Sequence, residues 1–417
     1  MKKIAKLSLV AAVAVAGFTT ANAQPLEEAI KNVDVSGSVV YRYNDYSNDV
    51  VGKESAQTNN YKVGANLSSK VNDDLKFNSR FIIGNSANAG FTQLGNTANK
   101  TQANIDNNTA DLGDTDTNAE VSVSHVNFAY TGIKNTTVTA GKQGLATPWT
   151  VAIDSDGNEQ TGTGILAMTT VGPVTLAGAY FNQTNLDQSG DNVGLFNAVS
   201  PLTGESEGDE DIATVGAITT LGPVTLDAWY LDAQDRFDSY TVGAKAATEL
   251  SGVKLGADAR YVSLDRENVD VDNSVAKIAL TADAGLVDAK LAYAKTDKEG
   301  GATALDNDAT TTLLGWSLTA NNKADADYIQ AVLGFDILSN LNLSANYGNV
   351  EYSDAAVATK DIEEEEVYAQ LLYKMSKNLS TYVRYGTYTK EETTIATGKT
   401  EDKNDDVRGR LQVEYTF

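Results

Sequence analysis

Charged residues in this sequence form two groups whose arrangement could act on ions and small solutes without making or breaking bonds. Six basic residues lie on the polar sides of alternating segments near the two ends of the chain: Arg42, Lys62, Arg80, Arg384, Arg408 and Arg410. Three acidic residues share one internal connection: Asp154, Asp156 and Glu159. Facing each other across a narrow aqueous opening, the two groups would order water and orient dipolar solutes. The alternative is that these carboxylates are simply solvated in a Gly- and Asp-rich loop.

These basic residues need a sheet that joins both ends of the chain. The segment Leu411–Phe417 alternates apolar and polar residues and ends on an aromatic side chain, as a half-buried strand does. Chain ends usually fray, but the last strand of an outer-membrane barrel must pair with the first and show an apolar face to lipid. We therefore place Phe417 on the lipid side. Because side chains alternate between the two faces of a strand, this assignment puts Arg408 and Arg410 in the lumen beside Arg42. There they avoid the cost of about 2–4 kcal/mol for Arg facing lipid near the midplane.

Short and long connections alternate along the chain. Eight short turns, such as Asn72–Asp74, separate nine mostly longer polar loops. The loops are Tyr46–Gln57, Ser86–Asn118, Gly144–Thr161, Gln183–Glu210, Ala233–Phe237, Arg266–Asp272, Asp297–Ala324, Asp354–Asp361 and Thr393–Asn404. This predicts an all-β fold, a transmembrane antiparallel up-and-down β-barrel of about 18 strands with both termini periplasmic. We predict that the third loop, about residues 144–161, folds into the lumen.

The start of the chain predicts export. Lysines at the N-terminus, the apolar run Leu7–Phe18 and the small residues of Ala21–Ala23 are typical of a secretory signal peptide, residues 1–23. The run is shorter than the roughly 20 residues that a membrane helix needs. Residues 24–417 would then form a single barrel domain without disulfides, since the chain has no Cys.

The charge balance limits the class of partner. The formal net charge is −24, and loss of three lysines with the signal peptide would make it more negative. Such a chain is too acidic to bind nucleic acid, and it would attract cations to any aqueous channel that it lined.

Catalysis and metal binding have little support in the sequence. The only histidine, His125, lies near Ser122 and Ser124 in a strand, and adjacent strand residues point to opposite faces. We therefore expect a structural role for His125 rather than a Ser–His catalytic pair, and no enzyme activity. The stretch Asp154–Glu159 has oxygen-bearing side chains at alternate positions but lacks the bidentate Glu of a calcium hand. No cofactor is expected, and metal ligands stay undefined, although loop carboxylates could bind Ca²⁺ weakly.

Two stretches resemble one known family. The segment Pro25–Gly37, followed by Tyr41, Arg42 and Tyr43, is similar to the mature start of the Campylobacter-type major outer membrane proteins. The segment Ala140–Gln143, with Trp149 shortly after it, resembles the strand and inward loop of the same porins. The resemblance implies an 18-stranded general-diffusion porin, a homotrimer, and a bias towards cations.

The predicted function is a porin in the bacterial outer membrane, a water-filled and weakly cation-selective channel for passive diffusion of ions and small hydrophilic solutes. Outer-membrane lipid and lipopolysaccharide would be its surroundings. The alternative is a surface-exposed adhesion or structural β protein, whose acidic loops would form the binding surface. The terminal aromatic residue and the asymmetry between turns and loops favour the porin.

Overall fold

A computed structural model of the protein describes residues 33–50, 53, 55–97, 120–188, 195–196, 210–267, 269–353 and 359–417. The predicted signal peptide, residues 1–23, lies outside the described residues. The described part of the chain contains no helix that is long and apolar enough to span a membrane.

The described residues form nineteen strands, in line with the period-two alternation of the sequence. The strands are β1 Val33–Asn48, β2 Ala56–Lys70, β3 Leu75–Gly84, β4 Thr92–Thr97, β5 Glu120–Ile133, β6 Thr136–Gly144, β7 Thr161–Val171, β8 Val174–Thr184, β9 Ile212–Leu221, β10 Val224–Ala233, β11 Phe237–Leu250, β12 Val253–Arg266, β13 Asn273–Asp283, β14 Val287–Thr296, β15 Ala324–Leu338, β16 Leu341–Ser353, β17 Lys360–Lys374, β18 Leu379–Thr394 and β19 Lys399–Thr416.

One antiparallel sheet closes on itself as a barrel. Each strand pairs with its sequence neighbour, except that β3 pairs with β5, and β1 pairs with β19 so that Arg42 lies opposite Gln412. Among the described residues the short strand β4 pairs with β2 alone, where it covers the part of β2 beyond the pairing with β3. Eighteen strands therefore make up the closed wall, and the predicted fold class and approximate strand number are confirmed.

The two ends of the barrel differ. The end where β1 begins and β19 finishes carries the short turns, and two of these turns place Gly172 and Gly222 at left-handed φ values of 59° and 60°. The other end, which we call the loop end, carries the long connections. The predicted connection Ala233–Phe237 is present, with residues 234–236 joining β10 and β11, whereas the predicted loop Thr393–Asn404 is wrong, because β18 and β19 extend into it and are joined by residues 395–398. Asp235 and Gly398 have positive φ, which lets the chain reverse in a tight turn while the strands continue.

Side chains sort by face as the alternation predicts. Phe417, Tyr415 and Tyr385 are exposed on the outer wall, while Arg42 and Val40 of β1 are buried on the inner side. An apolar cluster also fills part of the lumen, between the inner wall of β8–β12 and three loops, and it includes Trp149, Phe196, Phe237 and Leu305. The open part of the lumen therefore lies along the wall formed by the first and last strands.

Candidate functional site

The third loop, residues 145–160 between β6 and β7, crosses the lumen from a rigid base. Leu145 and Trp149 are buried in the apolar cluster, and the Trp149 indole Nε1 donates a 2.8 Å hydrogen bond to Ser239 Oγ on the opposite wall strand β11. Because this base is held by packing, the rest of the loop is directed to the inner faces of β1, β2 and β3.

Glu159 fixes the end of this loop to the wall. Its carboxylate accepts hydrogen bonds from Lys62 Nζ at 2.7 Å, from Arg80 Nη2 at 2.7 Å and from Ser124 Oγ at 2.5 Å. Glu159 is 0% exposed, and Lys62 and Arg80 are also buried. Gly64 of β2 leaves the space for this cluster, since a Cβ there would come within 2.6 Å of the Arg80 guanidinium. One buried carboxylate therefore joins three neighbouring strands to the loop.

The charge state of Glu159 follows from these contacts. Burial alone would raise the pKa of its carboxyl group. Hydrogen bonds and positive charge from Arg80 and Lys62 outweigh burial and hold the pKa below its ordinary value. Glu159 is therefore ionised at neutral pH and neutralises cations rather than facing the solvent.

Asp156 differs from Glu159 in that it faces the opening. Its Oδ1 accepts a 3.0 Å hydrogen bond from Arg42 Nη1 and lies 3.6 Å from Arg410 Nη1. The side chain of Asp156 is 61% exposed, whereas both arginine side chains are nearly buried. Arg42 also donates to the backbone carbonyl of Ser155 at 2.5 Å. The loop tip therefore presents a carboxylate to the lumen while the arginines lie behind it.

Asp154 stabilises the fold of the third loop itself. Its Oδ1 accepts from the backbone N–H of Asn158 at 2.8 Å, and its Oδ2 accepts from the Asn158 side-chain amide at 3.0 Å. Such bonds stabilise a tight turn. The three predicted acidic residues thus have three placements: Asp154 shapes the loop, Asp156 faces the opening, and Glu159 is locked to the wall.

The remaining basic residues lie further along the same wall. Arg384 donates to Gln370 Oε1 at 2.6 Å and stacks over the Tyr382 ring, with 5.0 Å between the guanidinium carbon and the ring centroid. Arg408 pairs with Asp406 and lies 3.9 Å from the centroid of Tyr388. The structure therefore places all six predicted basic residues on one inner wall. Arg42, Lys62, Arg80 and Arg410 meet the third loop, but Arg384 and Arg408 do not.

The seventh loop, residues 297–323 between β14 and β15, also enters the lumen, which the sequence analysis missed. Glu366 of β17 accepts hydrogen bonds from the backbone N–H groups of Trp316 at 2.8 Å and Ser317 at 2.7 Å. Arg408 donates to the Ser317 hydroxyl, and the Trp316 ring lies near the Arg384 and Arg410 guanidinium groups. The seventh loop therefore contacts the part of the basic wall that the third loop does not reach.

The two inward loops are joined to each other. The Asp308 carboxylate of the seventh loop accepts hydrogen bonds from the backbone N–H and the hydroxyl of Ser155, both at 2.9 Å. The backbone N–H of Leu305 donates to the carbonyl of Trp149 at 2.8 Å, and Gln160 Nε2 donates to the Leu305 carbonyl at 2.6 Å. The narrow region is thus built from both loops. The length of Asp297–Ala324 was the only sequence signal for it.

His125 lies on a different face from the one expected. Arg80 of β3 pairs with His125 and Phe81 pairs with Val123, so Ser124 is the extra residue of a β-bulge. Since paired residues share a face, His125 lies on the lumen side with Arg80, and Ser124 also points inward to Glu159. The expectation that Ser124 and His125 face opposite sides is therefore wrong. The two still form no catalytic pair, because Ser124 donates to Glu159, and His125 Nε2 has no hydrogen-bond partner among the described residues.

Metal-ligating residues do not converge in the part of the chain that the structure describes. No group of three or more His, Cys, Asp or Glu side chains there could hold a metal ion. Both carboxylate oxygens of Asp154, the first residue of the calcium-like stretch, accept hydrogen bonds from Asn158.

Solved structures with the same architecture are bacterial outer-membrane channels. OccAB1 of Acinetobacter baumannii has a TM-score of 0.71 at 13% identity, covering 95% of this chain and 98% of its own. A BenF-like porin of Pseudomonas fluorescens Pf-5 has a TM-score of 0.70 at 15% identity, covering 93% and 98%. OccK5 (OpdH) of Pseudomonas aeruginosa has a TM-score of 0.68 at 14% identity, with the same coverage of 93% and 98%. At these identities the similarity establishes the fold.

The family is established by the sequence. A search of curated protein sequences gave no match. The profile of the Campylobacter major outer membrane protein family matches residues 1–417. Family and fold are those of porins, which are channels and not enzymes and which lie in the bacterial outer membrane, so the predicted absence of enzyme activity and the predicted location are confirmed. The chain belongs to the Campylobacter major outer membrane protein family.

Proposed function

We propose that this porin is a water-filled, weakly cation-selective channel for passive diffusion of ions and small hydrophilic solutes. The observation that carries the proposal is the position of the third loop, whose tip holds Asp156 over the basic wall while Glu159 is locked to Lys62 and Arg80. Such an arrangement presents an exposed carboxylate, with arginines directly behind it, to one side of the opening without enclosing a tight binding pocket.

The preference for cations follows from which charges water can reach. Glu159 is compensated by two buried cations, so that cluster contributes little field to the opening. Asp156 is more exposed than its partners Arg42 and Arg410, so a passing ion meets the carboxylate first. The chain also carries 56 Asp and Glu against 32 Lys and Arg, which raises the cation concentration around the channel. The selectivity is weak because the arginines remain close behind the carboxylate.

Solutes would be sorted mainly by size and by dipole. The third and seventh loops form one joined obstacle across the lumen through Ser155, Asp308 and Leu305. Hydrophilic solutes that fit the remaining gap would pass along the lumen side of the loop tip, where Asp156 is exposed and Arg42 and Arg410 lie directly behind it. These adjacent opposite charges favour solutes that align their dipoles with the local field.

Orientation and surroundings complete the proposal. We place the turn end in the periplasm and the loop end outside the cell, in contact with outer-membrane lipid and lipopolysaccharide. The family resemblance supports a homotrimer, which the mass of the detergent-solubilised complex would test. Weak Ca²⁺ binding by loop carboxylates stays a prediction, and Asp156 is the residue of the calcium-like stretch whose exposure suits it best.

Reversal potentials in a salt gradient test the proposal. We expect the wild type to favour cations in planar bilayers. A variant with Asp154→Asn, Asp156→Asn and Glu159→Gln should shift towards anions, and Asp156→Asn alone should give most of the shift. Unchanged selectivity in the triple variant would mean that the third loop does not form the filter.

A further inference from the structure

A second group of charged side chains lies on the inner wall away from the third loop. It occupies β10–β14 on the turn side of the seventh loop and consists of Lys245, Arg260, Lys277 and Lys290 with Asp227 and Asp258. In a chain with a large excess of acidic residues, four cations with two carboxylates form a local region of positive charge. The sequence analysis did not single out any of these residues.

Two of the four cations are paired with carboxylates. Arg260 donates to both carboxylate oxygens of Asp227, at 2.8 and 2.9 Å, and to the Thr241 hydroxyl at 3.0 Å. Gly243 makes room for this pair, since a Cβ there would come within 2.4 Å of the guanidinium. Lys245 Nζ lies 3.1 Å from Asp258 Oδ2.

The other two cations donate hydrogen bonds to neutral acceptors. Lys277 Nζ donates to the backbone carbonyl of Thr312 in the seventh loop, and Lys290 Nζ donates to Gln330 Oε1 at 2.7 Å. Neither lysine has a carboxylate within 4.0 Å among the described residues. An ammonium group has three N–H donors, so each of these two lysines keeps donors for a further acceptor.

A groove gives an anion access to these donors. Its volume is about 390 Å³, and Lys245, Asp258, Lys277 and Lys290 line it together with Leu313 of the seventh loop. Small residues on the same wall, Gly256 and Ala279, leave the floor of the groove open. The space is sufficient for a small organic acid and places its oxygens near two ammonium groups with no carboxylate partner.

We propose that this groove is a binding subsite for the oxyanion of a small anionic solute, a carboxylate or a phosphate, on the turn side of the constriction. The inference rests on the proposed function, since the solute must enter the lumen. Lys277 and Lys290 bind the oxyanion, whereas the charge of Lys245 is largely offset by its pair with Asp258. Asp258 lies beside the site and limits its affinity, so the anion binds briefly and leaves again. An anion entering a cation-selective channel would thus be held briefly in this groove.

Current block of single channels tests the subsite. Succinate and inorganic phosphate are added in separate arms to wild-type channels in planar bilayers, and the more effective probe identifies the preferred oxyanion. We expect concentration-dependent block in the wild type. The double variant Lys277→Gln/Lys290→Gln should raise the half-blocking concentration about tenfold or more, the change expected when a charge-assisted contact is lost.

A matched control separates the groove from general electrostatics. Lys254→Gln makes the same type of substitution and removes one positive charge at the turn end, where Lys254 is 71% exposed and pairs with Asp283 at 3.1 Å. This variant should be blocked like the wild type. Block that is absent in conducting wild-type channels, or equal in all variants, overturns the proposal.

Calorimetric titration of the same two probes into the full detergent-solubilised protein gives a second readout that does not depend on conduction. Heat of binding that disappears in the double variant supports the subsite. Absence of heat in the wild type refutes it, whereas absence of any conductance refutes the proposed function instead.

Discussion

Replacing Glu159 by Gln should release the third loop. The substitution keeps the shape of the side chain but removes the charge that Lys62 and Arg80 share, and both cations are buried. The Gln amide group would also point a donor at side chains that are themselves donors. Removing one partner of a buried ion pair costs about 3–5 kcal/mol, because the remaining charge is left uncompensated. We expect a loss of unfolding free energy in this range, together with larger and noisier single-channel currents.

Denaturant unfolding in detergent and bilayer conductance would measure the two effects. Asp156→Asn is the matched control, because it removes the same charge from the same loop at an exposed position. Because Asp156 itself is exposed and Arg42 keeps its hydrogen bonds to Gln412 and to the Ser155 carbonyl, the control should lose much less stability than Glu159→Gln. A Glu159→Gln variant as stable as the control, with the wild-type conductance, would refute the view that Glu159 holds the loop.

Three further predictions concern the same region. The pKa of Glu159 is lowered in the folded protein, so the stabilisation by its carboxylate is present above the ordinary pKa of 4.5 and is lost as pH falls through the lowered pKa. The change in single-channel conductance on acidification should therefore appear only below pH 4.5, and it should be missing in Glu159→Gln. Glu366→Ala leaves the N–H groups of Trp316 and Ser317 without their acceptor, which should cost about 1–3 kcal/mol in unfolding free energy. Limited proteolysis should then cut the seventh loop faster than in the control Glu365→Ala, which changes the outward-facing neighbour. Trp149→Ala removes the buried base of the third loop and should cost about 3–5 kcal/mol in unfolding free energy, measured by the same denaturant titration; a cost below 1 kcal/mol would contradict a packed base.

The barrel wall was predictable from the sequence because the face on which a strand residue lies depends on its position in the local alternation. In a regular strand the side of each residue follows from its neighbours, so fixing Phe417 outside placed Arg410 and Arg42 on one inner wall. Closure of the sheet then brought β1 and β19 together, as the pairing of Arg42 with Gln412 shows.

The interior was less predictable because it depends on contacts between distant segments. The bulge at Ser124 breaks the period-two alternation and turns His125 inward, and no local pattern marks it. The inward course of the seventh loop depends on Glu366, Ser155 and Trp149, which come from three separate parts of the chain. The burial of Glu159 and the exposure of Asp156 likewise follow from the shape of the loop, not from residue type.

Cysteine labelling tests the central claim, that ions pass beside the third loop in the lumen. The chain has no native cysteine, so Asp156→Cys provides a single thiol at the proposed opening. A water-soluble, negatively charged methanethiosulfonate puts a negative charge back at position 156, so it should change the conductance of this variant stepwise and raise its preference for cations, whereas a positively charged reagent should lower that preference. Tyr385→Cys, whose parent side chain is 65% exposed on the outer wall, should conduct unchanged. No effect of either reagent on the Asp156→Cys channel would contradict the account.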